Sequence, residues 1–194
     1  TWVDSAIKRS EHPVPTSLPG FNRDRAFGFV RYPSSWYLSW FRFRFGRWGK
    51  LDFAAVPELL ACIDDCGAET ARRFTIKVLK QQPALVTRLY EWMLGPVGWE
   101  NVKWVGRQEN LVPDTCSILR SLGLKDDDLE AKLAKVKPEN TSLNPMGLQE
   151  RYKQRIVEAE RPCVLRWYGG MEDEQSARRY AADVGPWVRT LREE

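Results

Sequence analysis

The chain has 194 residues, about the length of one typical domain, and its 43% hydrophobic and 29% charged residues predict a soluble protein with a packed core. This composition excludes disordered and collagen-like classes, and no run of about 18 apolar residues predicts a membrane span. The formal net charge of +4 is too small to indicate nucleic acid as a partner by itself, and it is compatible with anionic small ligands.

The first quarter of the chain is predicted to contain a helix at residues 1–10, a proline-containing loop, a buried strand at 26–31 and a helix at 34–48. The strand is an apolar run that ends on Arg31, and Pro33 suits the first turn of the helix that follows. Aromatic residues recur along that helix every three or four positions, so they are predicted to face inward.

Further helices are predicted from apolar periodicity, and a second strand from the alternation of β-forming residues at 101–106. The helices are expected at 54–64, 69–82, 84–94, 111–122, 126–136 and 147–167. We expect one domain over residues 1–170 and a peripheral, charged helical tail over 171–194. The fold class is therefore α/β, a small parallel sheet covered by many helices, with the ligand site at the carboxyl ends of the strands.

The cysteine and histidine content argues against a metal site. Four cysteines occur without a Cys-x-x-Cys pair, and the chain has one histidine, so no metal is predicted. The aspartates at 126–128 precede a predicted helix, where negative charge complements the helix dipole. The cysteine usage, with no signal-peptide pattern at the first residue, predicts a reducing, cytoplasmic compartment.

The residues with the clearest chemical meaning follow the first predicted strand. The strand delivers Arg31 to its carboxyl end, and the next helix presents Ser39 two turns later, so a guanidinium and a hydroxyl can converge on one phosphate. The alternative interpretation is a surface arginine that precedes a core helix.

The same stretch, F-V-R-Y-P-S-S-W-Y, resembles the 3′-phosphate-binding motif of the sulfotransferase superfamily, in its short bacterial and phage-type form. That motif has an arginine that closes a strand and a serine eight positions later, as Arg31 and Ser39 do. The resemblance implies a P-loop-type sulfotransferase fold and 3′-phosphoadenosine 5′-phosphosulfate (PAPS) as the donor, with Arg31 and Ser39 on the 3′-phosphate.

Two places before this motif extend the resemblance. Thr1 and Trp2 resemble the end of the family's phosphosulfate loop, P-K-x-G-T-T-W, which implies that Thr1 contacts the phosphosulfate and Trp2 the adenine. The sequence is therefore expected to start within that loop. His12 lies in a segment similar to the family's H-x-P, which implies that it is the base that accepts the proton of the acceptor, with Glu11 as a second candidate.

Two places after the motif also resemble the family. The segment around Arg107 and Gln108 is similar to a strand followed by a Y-E-D-like segment, which places both side chains toward the nucleotide. Ser142, in N-T-S, resembles a loop residue that approaches the adenosine. The family's carboxyl-terminal R-K-G segment is not found, and the candidates to replace it are Arg42, Arg44 and Arg151.

The predicted function is sulfuryl transfer from PAPS to an acceptor hydroxyl or amine, which leaves adenosine 3′,5′-bisphosphate; the acceptor is not predicted. The first alternative is a noncatalytic structural or interaction protein with the same fold that has lost the phosphosulfate loop. A second is a single-stranded nucleic-acid binder, since nine tryptophans accompany many arginines, although their helical spacing is more typical of a buried face.

Overall fold

The computed structural model describes residues 20–45, 70–95, 101–136, 147–184 and 187–188. These residues contain three strands: β1 (Phe27–Val30), β2 (Trp104–Arg107) and β3 (Trp187–Val188). They also contain eight α-helices: α1 (Pro33–Phe45), α2 (Ala71–Gln81), α3 (Leu85–Leu94), α4 (Leu111–Ser121), α5 (Leu129–Ala134), α6 (Glu150–Ala159), α7 (Arg161–Tyr168) and α8 (Glu174–Val184). The predicted helices at 1–10 and 54–64 lie outside the described residues.

The sheet has the order β1-β2-β3. Strands β1 and β2 are parallel, with Phe27 opposite Trp104 and Val30 opposite Arg107. Both were predicted from their apolar and alternating runs, and the general α/β class is confirmed. The predicted small parallel sheet corresponds to β1 and β2, and β3 adds a short antiparallel strand that was not predicted.

Helices cover both faces of the parallel pair. A Cβ added at Gly28 would lie 2.8 Å from Cδ2 of Leu94, so α3 packs closely on one face. A Cβ added at Gly106 would meet the Phe29 ring and would lie 3.2 Å from Cβ of Asp114, so α4 packs on the other face. Since the pleat alternates, Val105 and Arg107 share the α3 face with Gly28.

Helix α1 follows β1 after a two-residue turn and crosses the core. Tyr37 and Phe41 are buried on its inner side, while Trp36 and Trp40 are partly buried and pack against the same core. Their indoles are stacked, with centroids 5.5 Å apart. The prediction that the aromatic residues face inward is confirmed for Tyr37 and Phe41, and the core is shared with α2, α3, α6 and α7.

The single helix predicted over 147–167 is wrong, because the chain breaks into α6 and α7 at Glu160. Pro162 lies in the first turn of α7, where it has no N–H to donate to a continuous helix. Glu160 leaves the helical conformation with φ −101° and ψ 20°, and its side chain turns into the core, where it is fully buried.

The charge of the segment after residue 170 predicted a peripheral helix, but part of this segment packs into the core. Ala177 and Ala181 of α8 are fully buried, and the carbonyl of Ala181 accepts a hydrogen bond from Asn110 Nδ2 at 3.2 Å. Strand β3 then completes the sheet where a continued helix was predicted. None of the helices in the described ranges combines the length and apolar character needed to cross a bilayer.

Candidate functional site

A cavity of about 370 Å³ lies at the carboxyl end of β1, against the outer side of α1. We call it the Arg31 cavity. Its polar lining consists of Arg31, Ser39 and Gln108, and its apolar lining of Phe29, Trp36, Trp40, Tyr90 and Met93. The structure thus places Arg31 and Ser39, which the sequence analysis assigned to one phosphate, on the wall of one cavity.

The strand and the helix explain why these two side chains meet. Arg31 is the first residue after β1, and Ser39 lies in the second turn of α1, so both border the space beyond the strand. Among the described residues, neither the Arg31 guanidinium nor the Ser39 hydroxyl takes part in an ion pair or a side-chain hydrogen bond. Their donors are available to a ligand in the cavity.

The turn between β1 and α1 is held by Tyr90 of α3. The Tyr90 hydroxyl accepts a hydrogen bond from the Arg31 backbone N–H at 2.7 Å and donates one to the Arg31 carbonyl at 3.1 Å. Burial raises the pKa of Tyr90 well above its ordinary value, so the hydroxyl keeps the proton that it donates. The ring packs edge-on against Trp167, at 5.4 Å between centroids.

Glu109 holds the next residue of the same turn. Its Oε1 accepts a hydrogen bond from the Tyr32 backbone N–H at 2.7 Å, and its Oε2 accepts one from the Tyr168 hydroxyl at 2.8 Å. The Tyr32 ring packs edge-on against Tyr168, and its hydroxyl donates to the Met171 carbonyl at 2.8 Å. One carboxylate thus joins the end of β2, the β1–α1 turn and helix α7.

Arg107, which was expected to face the nucleotide, does not line the Arg31 cavity. It ends β2 on the face that carries α7, and only 1% of it is exposed. Its Nε donates to the Trp167 carbonyl at 2.7 Å, and its guanidinium lies over the Tyr180 ring. Burial lowers its pKa from the ordinary value, and Asp114 acts in the opposite direction. Its neighbour Gln108 is exposed and lines the cavity instead.

The other predicted site residues are distributed as follows. His12, Glu11, Thr1, Trp2 and Ser142 lie outside the described residues, as does the side chain of Arg44. Arg42 is half-buried on α1 and is not part of the cavity lining. Arg151 is exposed on α6, with its guanidinium 4.9 Å from the centroid of the Tyr152 ring. Of the proposed replacements for the missing carboxyl-terminal segment, Arg42 and Arg151 therefore do not line the Arg31 cavity.

A second cavity, of about 470 Å³, lies on the other side of the β1–α1 turn. We call it the acidic cavity, because four carboxylates and two cations border it: Glu150, Glu172, Asp173, Glu174, Lys153 and Arg178. An excess of carboxylates repels a phosphate, so the Arg31 cavity is the better anion site of the two. No cluster of side chains suited to a metal ion occurs in the described ranges.

Sequence reasoning missed the two residues that hold the turn. The periodicity of α3 shows only that Tyr90 faces inward, like the other buried residues of that helix. It does not show that the Tyr90 hydroxyl bonds to the backbone of Arg31, 59 residues earlier in the chain. Glu109 gave a usable signal, since it is a charged residue two positions after a strand that lies parallel to β1. At that position its side chain can reach the neighbouring strand's end.

Comparison with known proteins adds no relative. No family model matches the chain, and searches of the curated proteins and of the solved structures found no match.

Proposed function

We propose that the protein is a PAPS-dependent sulfotransferase in which Arg31 and Ser39 bind the 3′-phosphate of the nucleotide. One observation carries the proposal: the arginine and serine of the motif line a common cavity at the carboxyl end of a parallel strand pair. This is where open α/β sheets bind their ligands. The sequence resemblance supplies the identity of the nucleotide.

The lining of the Arg31 cavity suits a phosphorylated nucleoside. A guanidinium offers paired N–H donors to phosphate oxygens, and a serine hydroxyl adds a further donor. The aromatic and methionine side chains on the remaining wall offer apolar surface to a sugar or base. A volume of about 370 Å³ falls within the range of about 300–1,000 Å³ that is common for small-molecule sites.

The proposed reaction is an in-line transfer of the sulfuryl group. The oxygen or nitrogen of the acceptor forms a bond to sulfur, the bond between sulfur and the bridging oxygen of the 5′-phosphate breaks, and adenosine 3′,5′-bisphosphate leaves with that electron pair. His12 accepts the proton of the acceptor, as its H-x-P context implies. Arg31 and Ser39 act by positioning the nucleotide and by balancing its charge, as in phosphoryl transfer.

The first test is the affinity for adenosine 3′,5′-bisphosphate by calorimetric titration. We expect Arg31→Ala to weaken binding about 10- to 100-fold, because hydrogen bonds to a charged group contribute about 1.5–3 kcal/mol. Ser39→Ala removes one neutral donor and should weaken binding about fivefold. The matched control is Arg155→Ala, which removes an exposed arginine of α6 that lines neither cavity.

Equal affinity in the wild type and Arg31→Ala would contradict the proposal. Turnover is tested separately with His12→Ala, which should keep nucleotide affinity and lose sulfuryl transfer to an acceptor identified by screening. A wild-type chain that binds adenosine 3′,5′-bisphosphate but transfers no sulfuryl group from PAPS would favour the noncatalytic alternative.

A further inference from the structure

Side chains from distant parts of the chain hydrogen-bond to the backbone of the turn that carries Arg31, and we call them its anchors. Arg31 and Tyr32 have left the β1 ladder, and their N–H groups precede the helical bonds of α1. Buried backbone donors require partners. Here the partners are not backbone carbonyls but the Tyr90 hydroxyl and the Glu109 carboxylate, 59 and 77 residues away in sequence.

Both anchors are themselves fixed. Tyr90 is 3% exposed and is held edge-on by Trp167. Glu109 has both carboxylate oxygens in use, one on the turn and one on Tyr168. The Tyr168 side chain is fully buried. The position of the turn is thereby tied to α3, to the end of β2 and to α7, and the Arg31 Cα cannot shift without breaking these bonds.

We propose that Tyr90 and Glu109 are positioning residues that set the place of the Arg31 guanidinium in the Arg31 cavity and so determine the preference for a 3′-phosphorylated nucleotide. This proposal rests on the function proposed above. A flexible arginine is an effective phosphate ligand when its backbone is fixed, because less freedom is then lost on binding. Each anchor hydrogen-bonds to the backbone of the turn, Tyr90 to Arg31 and Glu109 to Tyr32, so both act on the 3′-phosphate through Arg31, while the Tyr90 ring also forms part of the cavity wall.

The primary test is Tyr90→Phe, which removes one hydroxyl and keeps the ring. The readout is the 3′-phosphate preference, defined as the affinity for adenosine 3′,5′-bisphosphate divided by the affinity for adenosine 5′-monophosphate. We expect this preference to fall about tenfold, a change of about 1.4 kcal/mol, because the affinity for the bisphosphate should fall more than the affinity for the monophosphate. Tyr152→Phe is the matched control, since Tyr152 is also buried but lies on α6 and is not a hydrogen-bond partner of Arg31 or Tyr32.

A double-mutant cycle separates positioning from a general loss of stability. Tyr90→Phe should lower the preference in the wild-type background and have no effect in the Arg31→Ala background, because the guanidinium that it positions is then missing. Equal effects in both backgrounds would overturn the proposal. Glu109→Gln provides a second variant, which keeps the side-chain size but loses the charge, and it should lower the preference in the same Arg31-dependent manner.

Amide hydrogen exchange gives a readout that does not depend on the nucleotide. Tyr90→Phe should speed exchange of the Arg31 N–H about tenfold or more and leave that of Phe41 unchanged; unchanged exchange at Arg31 would overturn the proposal. If the wild type shows no 3′-phosphate preference, the proposed function fails, and this inference fails with it. If that preference is present and lost in Arg31→Ala but kept in Tyr90→Phe, the positioning proposal alone fails.

Discussion

At the scale of single residues, consecutive positions at the end of β2 have separate tasks. Arg107 turns into the core toward α7, Gln108 borders the Arg31 cavity, and Glu109 holds the β1–α1 turn. Asn110 bridges Asp114 and the Ala181 carbonyl of α8. The short 3₁₀-helix Gln108–Asn110 makes this possible, because it directs successive side chains to different sides.

Gly106 is required where β1 and β2 meet α4. Any Cβ at this position would collide with the Phe29 ring, its partner across the parallel ladder, and would crowd Asp114. We expect Gly106→Ala to lower the free energy of unfolding by about 1–3 kcal/mol, as overpacking does. Urea unfolding measures this change.

The matched control is Gly147→Ala, since a Cβ at Gly147 has no atom within 4 Å and the backbone there is not left-handed. The free energy of unfolding of this variant should lie within about 0.5 kcal/mol of the wild-type value. Equal stabilities of Gly106→Ala and the wild type would show that the strands and α4 are less closely packed than described.

At the scale of elements, the break between α6 and α7 supplies the cap of another helix. Helix α3 begins after Ala84, which has a positive φ of 56° and no capping side chain of its own. Glu160 provides the cap from the break: its Oε1 accepts from Val86 N at 3.0 Å, and its Oε2 from Thr87 N at 2.9 Å. A carboxylate at this end also interacts favourably with the helix dipole.

Glu160→Ala should therefore be strongly destabilising. It would leave the two amides of α3 without acceptors, together with the Tyr37 and Thr87 hydroxyls that also bond to Glu160. We expect a loss of at least about 3 kcal/mol in urea unfolding, because each buried donor left unpaired costs about 1–3 kcal/mol. Glu158→Ala, at an exposed position near the end of α6, should change the free energy of unfolding by less than about 0.5 kcal/mol. Similar losses in the two variants would contradict the capping role.

A hydrogen bond between Ser35 of α1 and Glu174 of α8 joins the two helices, and its strength depends on pH. Burial acts to raise the pKa of Glu174, but hydrogen bonds from Ser35 and Arg178 outweigh it, so the pKa lies below its ordinary value of 4.5. A carboxyl with a lowered folded-state pKa adds stability above the unfolded value of 4.5 and loses it as the pH falls through the folded value.

The wild type should consequently be more stable than Glu174→Gln by about 0.5–1 kcal/mol at pH 7, since Arg178 is largely exposed. This difference should shrink as the pH is lowered below 4.5. Urea unfolding of both proteins at pH 7 and pH 3 provides the measurement. An equal difference in the free energy of unfolding at pH 7 and pH 3 would contradict a lowered pKa for Glu174.

The sequence predicts best those strands and helices whose buried residues form a regular pattern of apolar residues over a short stretch of chain. Strand β1 and helix α4 follow from a short apolar run and from helical periodicity, and both lie within a few residues of the prediction. The break at Glu160 was missed, although Pro162 gave the signal, because apolar spacing continues across it. Strand β3 was missed because two residues that pair with a distant strand carry no period of their own.

At the scale of the whole molecule, the β1–α1 turn separates two cavities of different character. Arg31 borders a cavity with a guanidinium and an aromatic wall, and Tyr32 borders the acidic cavity. The motif spacing predicted that Arg31 and Ser39 lie close together, and both line the first of these cavities. The sequence could not predict the second cavity, because its carboxylates come from α6, from the α7–α8 connection and from the start of α8, more than 100 residues after the turn.

The location of the 3′-phosphate in the bound protein tests the central claim most directly. We would determine the crystal structure of the full chain with adenosine 3′,5′-bisphosphate. We expect the 3′-phosphate to lie in the Arg31 cavity, within hydrogen-bond distance of the Arg31 guanidinium and the Ser39 hydroxyl. A nucleotide that binds elsewhere, or whose 3′-phosphate does not contact Arg31, would contradict this claim.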